Sequence, residues 1–170
     1  MLNETLWRQI SPYETENALK LIGKDWMLIT APDGDKVNAM TASWGCMGVL
    51  WNKPVAVCFI RPQRHTFGLV EDADRISVCF MDESYRNALG VCGKLSGRDC
   101  DKLSEAGISS ETEDGVPVIS ECKMALICKK LYADDIKECA FVDKSLLSNY
   151  TAGDYHRMYI LEIEKVLVKK

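Results

Sequence analysis

Apolar residues along the chain follow strand-like patterns more often than helical ones. A first strand is predicted over Trp26–Ala31 from its Trp, Ile and Thr content, and the turn signal at Pro32–Asp35 joins it in a hairpin to a second strand around Asn38. Further strands are predicted over Val55–Ile60, Arg75–Met81, Cys122–Cys128, Lys137–Val142 and Tyr155–Val168. Sequential strands joined by short turns favour an antiparallel barrel or meander over a parallel sheet.

Helical spacing is confined to short segments between these strands. The pattern predicts helices over Thr15–Leu21 and Thr66–Asp72, one that begins at Ser84 as N-cap, and one that Asp99 caps and that ends at Gly107. The polar, acidic segment Ser109–Pro117 is predicted to be an exposed loop over the substrate side. Together these elements predict a six- or seven-stranded antiparallel barrel with short helices packed outside.

Composition narrows the functional classes. The 170 residues suit one domain, 1–170, and the fractions of apolar (47%) and charged (27%) residues are those of an ordinary globular chain. A net charge of −4 and a pI near 5.3 argue against nucleic acid or an anionic membrane as a partner. The longest apolar runs fall short of about 18 residues, so we expect a soluble, cytoplasmic protein with no membrane partner.

Eight cysteines raise the question of disulfides or a metal. They include no C-x-x-C pair, and the chain has only two histidines, so the sequence predicts neither a zinc site nor a thioredoxin-like motif. Cys58 and Cys79 lie inside predicted strands, where a thiol behaves as a small hydrophobic group. We expect reduced cysteines in the core and no metal, and a redox-active subset stays open as the alternative.

Candidate chemistry concentrates between Asn38 and Thr66. On an extended strand Thr41 and Ser43 point to one face and Met40 and Ala42 to the other, so one face carries small hydroxyl groups. The next strand ends before Pro62, and its turn presents Arg64, His65 and Thr66 at the start of a helix. Backbone N–H groups at a helix start, with an arginine and a hydroxyl, form a phosphate seat.

Each of these features alone is typical of ordinary structure. Alternating Thr and Ser is common on a solvated sheet face, Trp44 alone suggests a core residue, and His65 alone suggests an exposed turn. Ser96–Lys102 reads as a solvated connector and His156 as a structural or surface histidine. The combination favours a ligand with a polar ring at one end and a phosphate at the other. Hydrolysis is poorly supported, because the chain lacks a G-x-S-x-G, H-E-x-x-H or P-loop motif.

Several motifs occur in an order that resembles a known family. They are N-x-M-T-x-S-W-G, then K-P before an apolar strand, R-P-x-R-H-T, S-G-R-D-x-D-K and a C-terminal H-R-M-Y-I-L-E-I, and they span roughly Trp26 to Val168. This order is similar to that of the flavin reductase-like family of FMN-binding split barrels, with the flavoredoxin group as its nearest members. The resemblance implies a mainly β, antiparallel, Greek-key split β-barrel.

The resemblance also implies a cofactor, a site and an assembly. It implies FMN as cofactor, His156 near the pocket as the candidate catalytic residue, and a homodimer, which an open sheet edge also favours. The cofactor-binding residues it implies are Asn38, Met40, Thr41, Ala42, Ser43, Trp44, Arg61, Pro62, Arg64, His65, Thr66, Ser96, Arg98 and Lys102.

Three functions are compatible with such a site. The first is an NAD(P)H-dependent FMN reductase that passes electrons from NADH or NADPH to flavin or to a downstream acceptor. The second is a flavoredoxin-like carrier that exchanges electrons with another redox protein, and the third is a flavin-binding module without turnover. The chain has no G-x-G-x-x-G fingerprint, so a nicotinamide donor is expected to bind transiently over the flavin ring.

Overall fold

The computed structural model describes residues 5–15 and 17–170. Its main sheet has eight strands, with the order β3-β2-β6-β9-β10-β5-β4 and with β1 paired to β10, and every pairing is antiparallel. The strands are β1 (Trp7–Ile10), β2 (Met27–Asp33), β3 (Lys36–Ala42), β4 (Gly45–Leu50), β5 (Lys53–Ile60), β6 (Arg75–Phe80), β9 (Met124–Asp135) and β10 (Arg157–Lys169); β7 (Ser110–Glu113) and β8 (Val116–Ile119) form a separate hairpin.

The barrel is split between β3 and β4, which are the two edges of the strand path. The chain crosses this split directly, because only Ser43 and Trp44 separate the end of β3 from the start of β4. The crossing requires a glycine at its far side, since a Cβ on Gly45 would lie 2.5 Å from the carbonyl oxygen of Val57 on β5. The polar segment that the sequence singles out therefore lies at the opening of the barrel.

Short helices pack around the sheet. They are α1 (Ala18–Lys20), which continues into a π-helical turn at Leu21–Asp25, then α2 (His65–Asp72), α3 (Arg86–Lys94) and α4 (Lys102–Ala106). Two apolar clusters hold the layers together. One fills the barrel interior and includes Leu21 and Ile29, and the other lies between the sheet and α3, α4 and β8 and includes Leu28 and Leu89.

The mainly β, antiparallel split barrel with outer helices is confirmed, and most strand positions agree within a few residues. The main sheet has more strands than the six or seven expected, because β1 and β4 carry weak sequence signals. Leu21 and Ile22 are buried in the barrel interior, so the N-terminal helical segment does not simply wrap the exterior. The helix expected over Thr15–Leu21 includes residue 16, which lies outside the described residues.

Two local predictions are wrong. Ser109–Pro117 is not an exposed loop over the site. It contributes to the β7–β8 hairpin, and the Pro117 carbonyl accepts a buried hydrogen bond from the Thr30 hydroxyl. Lys137–Val142 is not a strand, because β9 runs on to Asp135 and pairs with β6 and β10 instead. A 3-10 turn occupies Glu138–Ala140.

Two helix caps also differ from the prediction. Asp101, not Asp99, caps α4 by accepting a hydrogen bond from the Ser104 amide. Ser84 lies inside a 3-10 turn that precedes α3. The C-terminal Gly107 is confirmed and adopts the left-handed conformation at φ 65°. None of the helices in the described ranges is both long enough and apolar enough to cross a membrane.

Candidate functional site

One cavity at the split of the barrel collects most of the residues that the sequence singles out. It has a volume of about 200 Å³ and is lined by Met40, Thr41, Ala42, Ser43, Trp44, Phe59, Arg61, Arg64 and His156. All of these except Phe59 are candidate site residues in the sequence. Phe59 was missed because its alternation within the apolar β5 run gives no sign that it faces a cavity.

A second cavity continues along β3 toward its beginning. It has a volume of about 270 Å³ and is lined by Asp33, Lys36, Val37, Asn38, Gly97, Arg98, Asp99, Cys100, Asp101 and Lys102. Asn38 in this cavity and Ala42 in the first are separated by about 13 Å along an extended strand. The two cavities therefore form the two ends of an elongated site that follows β3.

Among the cations that line the two cavities, Arg64 and Lys102 are shielded from solvent and have no carboxylate partner in the described residues. The Arg64 guanidinium donates hydrogen bonds to the Gly93 carbonyl at 2.9 Å and the Cys92 carbonyl at 3.4 Å, at the C-terminal end of α3. Lys102 is buried, and burial lowers the pKa of its ammonium to about 8, with Arg64 nearby adding to the decrease. Within the described part of the chain neither cation forms a salt bridge with a carboxylate, so both charges are available to an anion.

The phosphate-seat turn and the Ser96–Lys102 connector meet at Gly97. A Cβ on Gly97 would lie 2.3 Å from Asn38 Oδ1 and 2.7 Å from His65 Cδ2, so only glycine allows this approach. The buried Asn38 donates from Nδ2 to Thr66 Oγ1 at 2.7 Å. The connector is thus a wall of the site, and the interpretation of Ser96–Lys102 as a solvated connector is wrong for Gly97 and Lys102.

The other turn residues have defined partners. His65 Nε2 lies 2.8 Å from Asp33 Oδ2, so His65 is half-buried and not an exposed turn residue. Arg98 donates to the Gln63 carbonyl at 3.1 Å, and its own amide donates to Ser96 Oγ at 3.2 Å. Pro62 is exposed at the end of β5 and lines neither cavity.

Hydroxyl groups on β3 do not form the uniform polar face that alternation predicts. Thr41 Oγ1 donates to the Leu89 carbonyl of α3 at 2.6 Å, which directs its proton away from a ligand. Ser43 is exposed beyond the end of β3. Trp44 is also exposed, so it is not a core residue, and its ring lies 5.0 Å from that of His156. The contribution of β3 and its end to hydrogen bonding in this cavity therefore comes from the backbone and from Ser43.

Arg61 ties the segment before β10 to the site. It forms an ion pair with Asp154, donates to the Asn149 carbonyl at 3.0 Å and lies over the Tyr150 ring at 5.4 Å. Gln63 adds a hydrogen bond to Asp154 at 2.7 Å. The sequence did not identify Asp154 or Tyr150 as site residues, because their contacts with Arg61 join positions far apart in the chain.

His156 is held as a neutral imidazole at the wall of the cavity. Its Nδ1 lies 3.0 Å from the Tyr150 hydroxyl, and both side chains are buried. Burial, with a contribution from the nearby Arg61, lowers the pKa of His156 to about 4. At neutral pH the ring therefore offers one N–H donor and one acceptor and no positive charge.

The fold and the geometry agree with a match to a known family. The family model described as "Flavin reductase like domain" matches residues 20–170. The chain belongs to this flavin reductase-like family. Its split barrel is also similar to solved structures that share less than a quarter of its sequence, which supports the fold alone.

Three of these structures illustrate the likeness. An FMN-binding domain of flavin reductases-like enzyme from Shewanella baltica OS155 has a TM-score of 0.70 and 18% identity, covering 95% of this chain and 76% of that one. The flavoredoxin of Desulfovibrio vulgaris (Miyazaki F) has a TM-score of 0.67 and 20% identity, with coverages of 84% and 68%. The styrene monooxygenase flavin reductase of Pseudomonas putida S12 has a TM-score of 0.62 and 13% identity, with coverages of 84% and 77%.

A curated protein matches a shorter stretch. Cyclin puc1 of Schizosaccharomyces pombe is 33% identical over 84 residues, which are 49% of this chain. The chain spans only 23% of that protein's length. This partial match supports no functional conclusion.

The residues present fit a flavin mononucleotide. Lys102 is a buried cation whose Nζ has no hydrogen bond to any described residue, and a phosphate would provide the missing acceptors. The far end of the site offers the Trp44 and Phe59 rings and the backbone of β3, which suit a flat heterocycle with polar edges. The family's cofactor and the donor set of this chain are therefore consistent.

Proposed function

We propose that the protein is an FMN-dependent flavin oxidoreductase that accepts electrons from NADH or NADPH and passes them to flavin or to a downstream acceptor. The observation that carries this proposal is the pair of cations without a carboxylate partner among the described residues, Arg64 in the first cavity and Lys102 in the second, in an elongated site whose first cavity also carries the Trp44 and Phe59 rings. Membership of the flavin reductase-like family supports it.

Two groups of residues in the site have separate tasks in this proposal. Arg64, Lys102 and the N–H groups at the start of α2 hold the phosphate, and the Asn38–Thr66 hydrogen bond fixes the turn that presents them. Met40–Trp44 and Phe59 place the ring. When bound, FMN itself supplies the hydride and electron chemistry, so the chain has only to bind, orient and shield it.

His156 is the candidate residue beside the reacting centre. Because its imidazole is neutral at pH 7, it can donate or accept a hydrogen bond without repelling a cationic nicotinamide ring. The Tyr150 hydroxyl and the Trp44 ring fix its orientation. The role we propose for His156 is to position a donor or acceptor on the exposed side of the flavin.

The electron donor can be identified by stopped-flow reduction of the bound flavin. We expect NADH or NADPH to reduce it in a saturable, second-long or faster phase, since a typical enzyme turnover is about 10 s⁻¹. A low-potential ferredoxin is the comparison. Rapid reduction by ferredoxin with none by either nicotinamide would favour the flavoredoxin-like carrier, and reduction by none of the three would leave a binding module without turnover.

A homodimer would complete the site. The first cavity, at about 200 Å³, is smaller than the roughly 300–1,000 Å³ of typical ligand pockets. Beside it runs the edge strand β4, and apolar side chains are exposed on it and at both of its ends: Val49 in the strand is 61% exposed, Trp44 before it 45% and Trp51 after it 56%. An exposed apolar edge strand is prone to pair with other chains unless it is covered, and most soluble oligomers cover such a surface with an identical chain. We propose that this edge faces a second copy.

Dilution should therefore remove subunit contact and flavin together. Light scattering recorded with flavin absorbance is expected to show that monomer formation and loss of FMN share one midpoint. Val49→Lys, which places a charge on the exposed edge, should shift that midpoint to higher protein concentration. A stable monomer that keeps its FMN would refute the interface.

A further inference from the structure

A groove separate from the two cavities lies beside the beginning of β2. Its volume is about 870 Å³, larger than either cavity of the flavin site. It lies between the N-terminal helical segment and the start of α3, and it is lined by Asn17, Leu19, Lys20, Gly23, Lys24, Asp25, Trp26, Glu83 and Arg86.

The backbone beside this groove is irregular. A π-helical turn over Leu21–Asp25 leads into Trp26, which has φ 67° and ψ 165°. Side-chain-bearing residues almost never adopt this region, and such strain persists only where surrounding contacts enforce it. Single π-helical turns are also found frequently at functional sites. The strain turns the Trp26 indole into the wall of the groove.

Arg86 supplies the contacts that enforce this conformation. Its guanidinium lies 4.5 Å from the centre of the Trp26 ring and donates to the Lys24 carbonyl at 2.7 Å and the Asp25 carbonyl at 3.4 Å. The groove therefore contains an aromatic ring with a fixed orientation and a guanidinium stacked on it.

The charge in the groove favours an anion. The Asp25 carboxylate is neutralised by Lys20 at 3.0 Å and by Lys123 at 2.9 Å. Lys24 is exposed, and its ammonium forms no hydrogen bond or ion pair with the described residues. Glu83 lies at the exposed rim. An exposed lysine and an aromatic ring in one groove suit a ligand that combines a flat base with phosphates.

The groove adjoins the ring end of the flavin site. Trp26 directly precedes Met27, which pairs across the sheet with Ala42 of the first cavity. Helix α3 connects the two places: it begins at Arg86, and the carbonyls that accept from Arg64 lie six and seven residues later, about 10 Å along the helix. A ligand in the groove can thus extend toward the ring and away from the phosphate seat.

We propose that this groove binds the adenosine diphosphate half of a nicotinamide dinucleotide, an inference that rests on the function proposed above. A dinucleotide that places its nicotinamide on the flavin needs a second anchor for its other half. The chain has no dinucleotide-binding fingerprint to provide one. Trp26 stacks on the adenine, and Lys24 pairs with the pyrophosphate.

ADP-ribose, which lacks the nicotinamide, tests the groove without any flavin chemistry. Titrated calorimetrically into the FMN-loaded protein, whose phosphate seat is filled, it is expected to bind the wild type and to bind Lys24→Glu about tenfold more weakly, the scale of one lost charged hydrogen bond. Lys144→Glu is the matched control, because Lys144 is equally exposed but lies outside the groove. Equal affinity in wild type and Lys24→Glu, or no binding to the wild type, would overturn the proposal.

Trp26→Gly separates ligand binding from folding. Glycine adopts the backbone conformation of residue 26 without strain, which offsets part of the packing that the half-buried indole provides, so this variant should still fold cooperatively while it loses ADP-ribose binding. A Trp26→Gly protein that folds and binds ADP-ribose with wild-type affinity would contradict a stacking role.

The FMN-loaded protein distinguishes failure of the groove from failure of the proposed function. Lys24→Glu is expected to raise the KM for the nicotinamide donor about tenfold, with kcat and FMN affinity unchanged. If the donor reduces the flavin with the same KM in Lys24→Glu, the groove proposal fails and the function stands. If ADP-ribose binds as expected but no nicotinamide reduces the flavin, the groove stands and the donor assignment fails.

Discussion

Replacing Lys102 by methionine is expected to weaken FMN binding about ten- to a hundredfold and to leave riboflavin binding almost unchanged. Lys102 is a buried cation that lines the second cavity and lacks a carboxylate partner among the described residues, so its charge is free to meet a phosphate. A hydrogen bond to a charged group contributes about 1.5–3 kcal/mol. Riboflavin has no phosphate and should not sense the change.

The FMN-free protein should respond in the opposite direction. Because burial disfavours the charged ammonium, the methionine variant should unfold at a higher temperature than the wild type in the absence of flavin. Lys94→Met, which removes an exposed charge near the end of α3, is the control and should alter neither quantity. Equal losses of FMN and riboflavin affinity would show that Lys102 supports the structure or touches the ring.

Arg64→Ala is expected to change both protein stability and FMN affinity, whereas Lys102→Met separates the two. The Arg64 guanidinium also donates to two carbonyls at the end of α3, so its removal leaves these acceptors without partners and lowers stability as well as FMN affinity. We expect the same selectivity for FMN over riboflavin, with a loss of about 1.5–3 kcal/mol for FMN. The double comparison with riboflavin separates the two effects.

FMN affinity is expected to fall steeply above pH 8. Burial places the pKa of Lys102 at about 8 in the free protein, so the ammonium that the phosphate needs is lost as the pH rises through that value. Each further pH unit should then weaken binding about tenfold until the pH reaches the raised pKa of the complex. Below about pH 6 the phosphate gains a proton and affinity falls again, so it should be highest between these limits.

The stability of the FMN-free protein should change with the opposite sign. In the unfolded chain Lys102 has an ordinary pKa of 10.5, so it keeps its proton to a higher pH than it does in the folded protein. Between pH 8 and 10.5 the unfolded state therefore binds more protons, and this group's contribution raises the unfolding free energy as the pH rises. Isothermal titration of FMN and riboflavin from pH 5 to 9.5 checks the affinity profile. A pH-independent FMN affinity above pH 8 would exclude Lys102 from the phosphate seat.

The sequence predicts which residues share the cavity at the barrel opening better than it predicts the loops. Met40–Trp44 and Arg64 line one cavity, as expected. They could be predicted because the signals are local: alternation along one strand, and a proline just after the end of another. The predicted hairpin at Pro32–Asp35 likewise forms, with Gly34 in a left-handed conformation. In such cases the local pattern and the tertiary fold favour the same structure.

Contacts between distant segments account for the errors. The polar segment Ser109–Pro117 resembles a loop, but the buried hydroxyls of Thr30 and Ser77 supply donors to its Pro117 carbonyl and draw it into a packed hairpin. The Lys137–Val142 segment has strand-like residues, but β9 already forms its backbone hydrogen bonds with β10, so this segment is not needed as a partner strand. Trp26 was expected to lie in a strand, and only the structure reveals its strained backbone.

The central claim is that the elongated site along β3 holds FMN, and identification of the released chromophore tests it most directly. The purified protein should be yellow, and denaturation followed by chromatography should release FMN and not FAD, since the site offers a single phosphate seat, at Arg64 and Lys102. A colourless protein that cannot be reconstituted with FMN, or one that releases FAD, would contradict the account.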